Sequence, residues 1–546
     1  MGAQHGRLAG DDARRLLEFY RSMPESVLVG DAPGAGGALA RFAVRTLSHA
    51  WQARLVRDRP AELLARSRAY VETVDPSEVD AGVRALATMD SLQNCVALAA
   101  RGGLGPFDRK LTARATAAAV PACSTVIAWG EATANGELLF ARNFDFPGIG
   151  VWDAAPAFVV CAPDRGQRYG FFTAKGGDAP VVTVVNEAGL VLAPHTRWHR
   201  GVTWGGAMIV DVIHELARRA ETLADAIAIA REYPASSTWG IAIGSAREQS
   251  ALVLEIAGPQ LEVVRPAPGA STLVCNNHYR TPSLVAGEVA ASAAWRIHSK
   301  RRERRLIELA AQRPLTPAKL VAMLGDRRDP GAPERERQLG AIVAQPTNVH
   351  SVVVEPAATR AWLGIDRAPC CEGRWAELDW SWDGPAGGWT TDVDRVAPAS
   401  RFRVAPCDFA RPHAPATLHV SAAARAYEHD HDVPAARAAI ERAIALAPAD
   451  PSLRLSAAWL ALADGAPDRA VIHVHAGLSE EVEPYRRGQL LLWGSRAAAG
   501  SDPRLAKRWR DELDRLAGDG VGELQTASRR RYQMRPQVNL MMADAY

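Results

Sequence analysis

Along residues 1–122 apolar positions recur every three to four residues, the spacing that lines one face of a helix. DDARRLLEFYRSM, ALARFAVRTLSHAWQARLV, PAELLARSRAYVETV and SEVDAGVRALATMDSLQNCVALAA each follow it, with the Gly-rich gap GDAPGAGG between the first two. The stretch GGLGPFDRKLTARATAAAVPA is weakly patterned and expected to be exposed, where a chain best accepts a cut. At Cys123 the character of the pattern changes. CSTVIAW and LLFARNFDF read as strands, and the turn residues of GEATANGE between them, including Asn135-Gly136, predict a hairpin. Eight further β-type runs follow up to residue 277, then NVHSVVVEP and RAWLGID. Helical patterns cover GGAMIVDVIHELARRA, TLADAIAIAREY, ASAAWRIHSKRRERRLIELAAQ and TPAKLVAMLGD. Clustered strands with clustered helices predict stacked α and β layers rather than strict βαβ alternation.

Residues 371–415, rich in Trp, Pro, Gly and Asp, read as an irregular linker. From 416 to 520 the pattern is all-helical with a 34-residue period. Ala424, Tyr427, Ala436, Ile440, Ala443 and Pro448 occupy the small, aromatic and proline positions of a tetratricopeptide-like repeat, and Ala458, Ala470, Val474 and Gly477 echo them. A degenerate third copy follows, then a tail over 521–546. The expected organisation is a helical segment over 1–122, a mixed core over 123–370, the linker, the repeats and the tail.

Composition narrows the class. Of 546 residues, 48% are apolar and 23% charged, and the formal net charge of +3 gives no reason to expect nucleic acid as a partner. No apolar run approaches a membrane span, and the N-terminus has no secretory pattern. Seven sparsely spaced cysteines fit reduced thiols in a cytoplasmic protein better than a disulfide framework. No cofactor or metal site is expected. The basic run Lys300, Arg301, Arg302, Arg304, Arg305 reads as a solvated helix face, and His429-Asp430-His431-Asp432 as a polar turn.

The hairpin carries the candidate chemistry. Its two strands bring residues near 142–146 back beside residue 123, which places Arg142, Asn143 and Asp145 close to Cys123. A guanidinium beside a thiol stabilises the thiolate and lowers its pKa. If Cys123 were a new N-terminus, its α-amine would accept the thiol proton near neutrality.

Cys123-Ser124, a hairpin, then Arg142-Asn143-x-Asp145 resembles the start of mature choloylglycine hydrolases and acid ceramidases. It is most similar to peptidase family C45, typified by acyl-coenzyme A:6-aminopenicillanic acid acyltransferase. Asn186-Glu187-Ala188-Gly189-Leu190, Asn276-Asn277-His278-Tyr279 and Ser299-x-x-Arg302-x-x-Arg305-Leu306 resemble later blocks of that family in order and spacing. The resemblance implies a four-layer αββα N-terminal-nucleophile hydrolase sandwich, cut between Ala122 and Cys123 by its own thiol. It implies residues 1–122 as a propeptide and Cys123 as the nucleophile. Asp145 would orient the new amine, and Arg142 would support the thiolate or an acyl group. Asn186 and Asn277 would donate to the oxyanion, and Arg302 would sit in an outer charge network. Asn277 is preferred over Asn276 because it directly precedes His278. Asn186 has a second reading, as a turn residue before Gly189. His195 and His199 are candidates to line a pocket. The implied substrate is a small acyl amide or thioester. The alternative is an inactive scaffold whose repeats hold a protein partner.

Overall fold

A computed structural model describes residues 1–29, 34–101, 123–289, 293–383 and 401–530. Among them lie two seven-stranded antiparallel sheets. The first has the order β10-β1-β2-β13-β14-β15-β16, built from β1 (Ser124–Ala128), β2 (Leu139–Asp145), β10 (Thr272–Cys275), β13 (Asn348–Glu355), β14 (Arg360–Gly364), β15 (Gly373–Trp380) and β16 (Phe402–Arg411). The second is a meander in chain order: β3 (Pro156–Cys161), β4 (Tyr169–Ala174), β5 (Thr183–Asn186), β6 (Leu190–Thr196), β7 (Thr238–Ser245), β8 (Ser250–Ala257) and β9 (Gln260–Val264). A small ribbon pairs β11 (Arg328–Asp329) with β12 (Ala332–Glu336).

Strand alternation assigns the faces. Ile127, Phe140, Val352 and Leu363 of the first sheet meet Phe158, Phe172, Val191, Ala242 and Val253 of the second in one buried cluster. The opposite face of the first sheet, with Val126, Ala141 and Val353, packs on Leu306, Leu320 and Leu324. Those leucines belong to α10 (Ala293–Ala310) and α11 (Pro317–Leu324). The opposite face of the second sheet, with Phe171, Leu192, Ile241 and Leu254, packs on α7 (Ile209–Arg219) and α8 (Leu223–Glu232). The molecule is therefore the expected four-layer αββα sandwich. Strands covered on both sides read as near-continuous apolar runs rather than alternating ones. The short α9 (Pro282–Val285) follows β10.

The N-terminal helices are α1 (Gly2–Ala9), α2 (Asp11–Leu28), α3 (Gly34–Arg57), α4 (Ala61–Val74), α5 (Val79–Ala85) and α6 (Thr88–Ala100). They extend the helical layer over the second sheet and join its buried cluster, which also contains Cys123. Buried polar anchors fix them. Asp178 accepts from Arg66 at 2.6 Å and lies 2.8 Å from His5 Nδ1, and Arg59 pairs with Asp211 at 2.8 Å. Helix α1 and residues 34–37, placed in a gap by their glycines, are additions to the sequence reading.

The C-terminal helices form stacked hairpins: α12 (Pro415–Glu428) with α13 (Val433–Leu446), α14 (Pro451–Ala463) with α15 (Pro467–Glu480), and α16 (Pro484–Ala498) with α17 (Pro503–Arg515), closed by α18 (Val521–Ser528). Ala424, Ala436, Ile440 and Ala443, and 34 residues on Ala458, Ala470, Val474 and Gly477, are all buried at the contacts between helices. The first helix of each pair is turned to the core: Ser421 of α12 donates to Pro346 O, and Ser452 of α14 accepts from Leu339 N.

One expectation fails here. The supposed linker over 371–415 contains β15 and β16, two strands that complete the first sheet, with Trp375 and Trp380 buried. Its Pro- and Gly-rich flanks hid the strands. Of this segment, 384–400 lie outside the described residues, as do Ala122 and 531–546. No described helix is long and apolar enough to cross a membrane.

Candidate active site

Cys123 stands at the start of β1, in a register where Ser124 faces Asn143 and Thr125 faces Arg142 across the hairpin. The turn that sets this register contains Gly136 at φ 78°, a backbone angle that glycine adopts without a steric penalty. Odd-numbered residues of β1 face the second sheet. Arg142 Nη2 accordingly donates to Cys123 Sγ at 3.5 Å and also to Pro194 O on β6. Thr125 Oγ1 lies 2.8 Å from His195 Nε2, also on β6. Even-numbered residues face α10. Arg302 of that helix donates from Nη1 to Cys123 O at 2.9 Å and Ser124 Oγ at 2.8 Å, and from Nη2 to Asn277 Oδ1 at 3.1 Å. Asn276 Nδ2 reaches Cys123 O at 3.4 Å and Ser124 Oγ at 3.3 Å.

Asp145 closes β2 beside this group. Asn348 of β13 donates to its Oδ1 at 2.9 Å, and Ser351 links Asn348 and Asn143, at 2.8 and 2.7 Å. Asp145 Oδ2 is buried without a partner among the described residues, as are Nε and Nη1 of Arg142 and both ring nitrogens of His350. A buried polar atom without a partner costs on the order of 1–3 kcal/mol.

Electrostatics sharpen the picture. Cys123, Arg142, Asp145 and Arg302 are each no more than 1% exposed. Burial pushes the Asp145 carboxyl up to about 7, against the pull of Arg302, the Asn348 amide and Arg142. Burial also raises the Cys123 thiol, while Arg142 works in the opposite direction. Here the sequence expectation is corrected: in the closed, intact chain desolvation outweighs the guanidinium, and the thiol is raised rather than lowered. His195 is held well below the usual histidine range by burial and by Arg142, Arg197 and Arg302, so its imidazole is neutral.

The expected residues are not all brought together. Cys123, Arg142, Asp145, Asn277 and Arg302 converge. Asn186 does not: it donates to Ala217 O at 3.1 Å and Ala220 O at 2.8 Å and accepts from Leu190 N at 2.9 Å. Those bonds tie the β5–β6 turn to the end of α7, so the turn reading is the one that fits. Pro194, which touches Arg142, lies four residues farther along β6, about 13 Å at strand rise. Asn277 Nδ2 is engaged by Thr196 O at 3.0 Å, and it is Asn276 whose amide points at the Cys123 carbonyl. Arg302 is not in an outer network; it touches the Cys123 main chain. The basic run is only in part a solvated face: Lys300 and Arg304 are exposed, but Arg301 pairs with Glu483 at 2.7 Å and Arg305 with Asp326 at 2.7 Å. His195 lies in the cluster, whereas His199 meets Tyr279 edge to face away from it. Asn348 and His350 were missed, although polar residues interrupting the apolar strand NVHSVVV were a visible signal. The polar turn at 429–432 caps α13 through Asp432, and no metal-capable cluster occurs among the described residues.

No curated protein matches the chain in sequence. Among solved structures, it is similar to the Caenorhabditis elegans N-acylethanolamine-hydrolyzing acid amidase ortholog, with 14% identity and a TM-score of 0.33 over 43% of this chain and 93% of that one. It is also similar to a conjugated bile acid hydrolase from Clostridium perfringens, with 11% identity and a TM-score of 0.33 over 49% of this chain and 97% of that one. Residues 132–368 match the family described as AAT, acyl-coenzyme A:6-aminopenicillanic acid acyl-transferase, an interval that begins past Cys123 and includes Arg142, Asp145, Asn277 and Arg302. Residues 132–368 are thus similar to the acyl-coenzyme A:6-aminopenicillanic acid acyl-transferase family.

Proposed function

We propose that the protein is a self-processing cysteine N-terminal-nucleophile hydrolase acting on linear amide or thioester bonds through an acyl-enzyme. The observation that carries this reading is the convergence at residue 123: Arg142 on its sulfur, and the unpartnered Asp145 Oδ2 in the same buried group. In the precursor the thiol attacks the carbonyl carbon of Ala122. The C–N bond to Cys123 breaks, the nitrogen takes the proton as an amine, and a thioester joins Ala122 to Sγ. Water hydrolyses that thioester, leaving a carboxylate on Ala122 and a free thiol and amine on Cys123. The buried pairs Arg66–Asp178 and Arg59–Asp211 span the cut, so the two chains stay associated.

In the mature protein the Cys123 amine, as an ammonium, supplies the missing partner of Asp145. As the free base it takes the thiol proton, so nucleophile and base are one residue. The thiolate attacks the substrate carbonyl, the leaving amine or thiol takes the proton, and water resolves the acyl-enzyme. Arg142 and the Asn276–Asn277 segment are the donors available to the developing oxyanion, each such contact typically worth ~10²–10³ in rate. Small-molecule acyl amides or thioesters are the proposed substrates, with hydrolysis favoured over transfer to an amine.

The test is incubation of wild type and Cys123→Ala with a panel of acyl amides and acyl thioesters, followed by intact-mass analysis after acid quench. An acyl adduct on the chain beginning with Cys123, seen only in wild type, is expected. Turnover that persists in Cys123→Ala would sink the assignment.

A further inference from the structure

Arg302 hydrogen-bonds three acceptors at once, and that geometry needs a fixed helix. Helix α10 is poorly suited to fix itself: Arg296, Lys300, Arg301, Arg302, Arg304 and Arg305 all lie on it, against Glu303 and Glu308. Like charges three and four apart on a helix repel. Part of the compensation comes from the core, where Arg305 pairs with Asp326, and part from the C-terminal helices. Glu483, which caps α16 by accepting from Tyr485 N and Arg486 N, also accepts from Arg301 at 2.7 Å. Arg486, in the first turn of α16, donates to His298 Nε2 at 2.8 Å. His298 lies one helical turn before Arg302, and burial together with Arg486, Arg302 and Arg301 keeps its imidazole neutral, able to accept. Farther along, Glu523 of α18 accepts from Ala293 N at 3.1 Å, at the start of α10. Glu483, Arg486 and His298 are each no more than 3% exposed, so these contacts are not surface pairs screened by water.

We infer that the start of α16 is a brace, and that Glu483 and Arg486 are positioning residues that hold Arg302 on the Cys123 carbonyl. The C-terminal repeats are then part of the catalytic apparatus, and the side they turn to the core is occupied by the chain's own helix. This inference rests on the reading of Cys123 as the nucleophile. Misplacing a positioned group by about 1 Å can cost up to ~10²-fold in rate, and a softened brace is expected to cost roughly tenfold.

The experiment is a double-mutant cycle on the full chain: wild type, Glu483→Gln, Arg302→Lys and the pair, with Arg486→Lys as a second brace variant. The first-order processing rate, kcat and KM are measured for each. The brace predicts that Glu483→Gln lowers processing and kcat about tenfold with KM unchanged, and by less than twofold once Arg302 is already Lys. Equal losses in both backgrounds would overturn it. A second arm needs no turnover. In the unprocessed Cys123→Ala protein, Glu483→Gln should speed amide hydrogen exchange in residues 293–310 and 123–128, but not in β7 or β8. Unchanged exchange there would also overturn the brace. A wild type that neither processes nor forms an acyl-enzyme would instead defeat the nucleophile reading, and the exchange arm would still decide the brace.

Discussion

Midway along the hairpin, the space between the two sheets holds Ile127, Phe140, Phe172 and Val352; at the other end of the same strands it holds Cys123, Arg142, His195 and His350. The strands, register and alternation are the same. In the middle, each large apolar side chain taken from water contributes about 1.5–3 kcal/mol. At the end, two nitrogens of Arg142, both of His350 and one of His195 are buried without partners among the described residues. That end weakens the fold, and a chain keeps such a cluster where it has chemistry to perform.

Substitutions at the two ends should therefore have opposite signatures. Arg142→Met is expected to lower processing and acyl turnover by ~10²–10³, while removing buried unpaired donors leaves the melting temperature unchanged or higher. A parallel fall in stability and rate would erase the contrast. Ile127→Ala should do the reverse, costing about 2–5 kcal/mol in denaturant unfolding with kcat per folded molecule within twofold.

Asp145→Asn tests the end through pH. In the unprocessed Cys123→Ala chain, burial raises the Asp145 carboxyl to about 7 from 3.8, so folding favours its protonated form. Its contribution to stability is present below about pH 4 and lost as pH rises through 7. The Asn variant, which does not titrate, should gain on its parent over that window by up to about 4 kcal/mol, read from unfolding curves at pH 4, 6 and 8. In processed protein, where the ammonium pairs with the carboxylate, the same substitution should cost stability at pH 7. A pH-independent difference in the unprocessed chain would remove Asp145 from the account. The smallest effect is expected at Asn186. Asn186→Ala loses two side-chain donors to Ala217 O and Ala220 O, so stability should fall by ~1–3 kcal/mol while kcat and KM stay within twofold.

How much of this was legible in the sequence follows from range. The β1–β2 hairpin was readable because apolar runs flanked Asn135-Gly136, and that local signal alone brought Arg142 and Asp145 to Cys123. Periodicity also found the helices flanking the sheets and the C-terminal helices that bury Ala436 and Ala470. The choice between Asn276 and Asn277 was not readable, since one residue of register decides which side of a strand end a side chain takes. Asn186 was misassigned because the same Asn-Glu-x-Gly pattern serves a turn, which local hydrogen bonds claimed. Strand β15 escaped because Gly and Pro flank its tryptophans, and β16 because Pro406 interrupts its run. The bonds that place α10, such as Arg301 to Glu483 across 182 residues, leave no local trace.

The most direct measurement is intact mass and N-terminal sequencing of wild type and Cys123→Ala purified side by side. The account predicts two associated chains from wild type, the larger beginning Cys123-Ser124-Thr125, and one uncut chain from the variant. A folded wild type that remains a single chain from Met1 would contradict it, because the amine needed as base would never form.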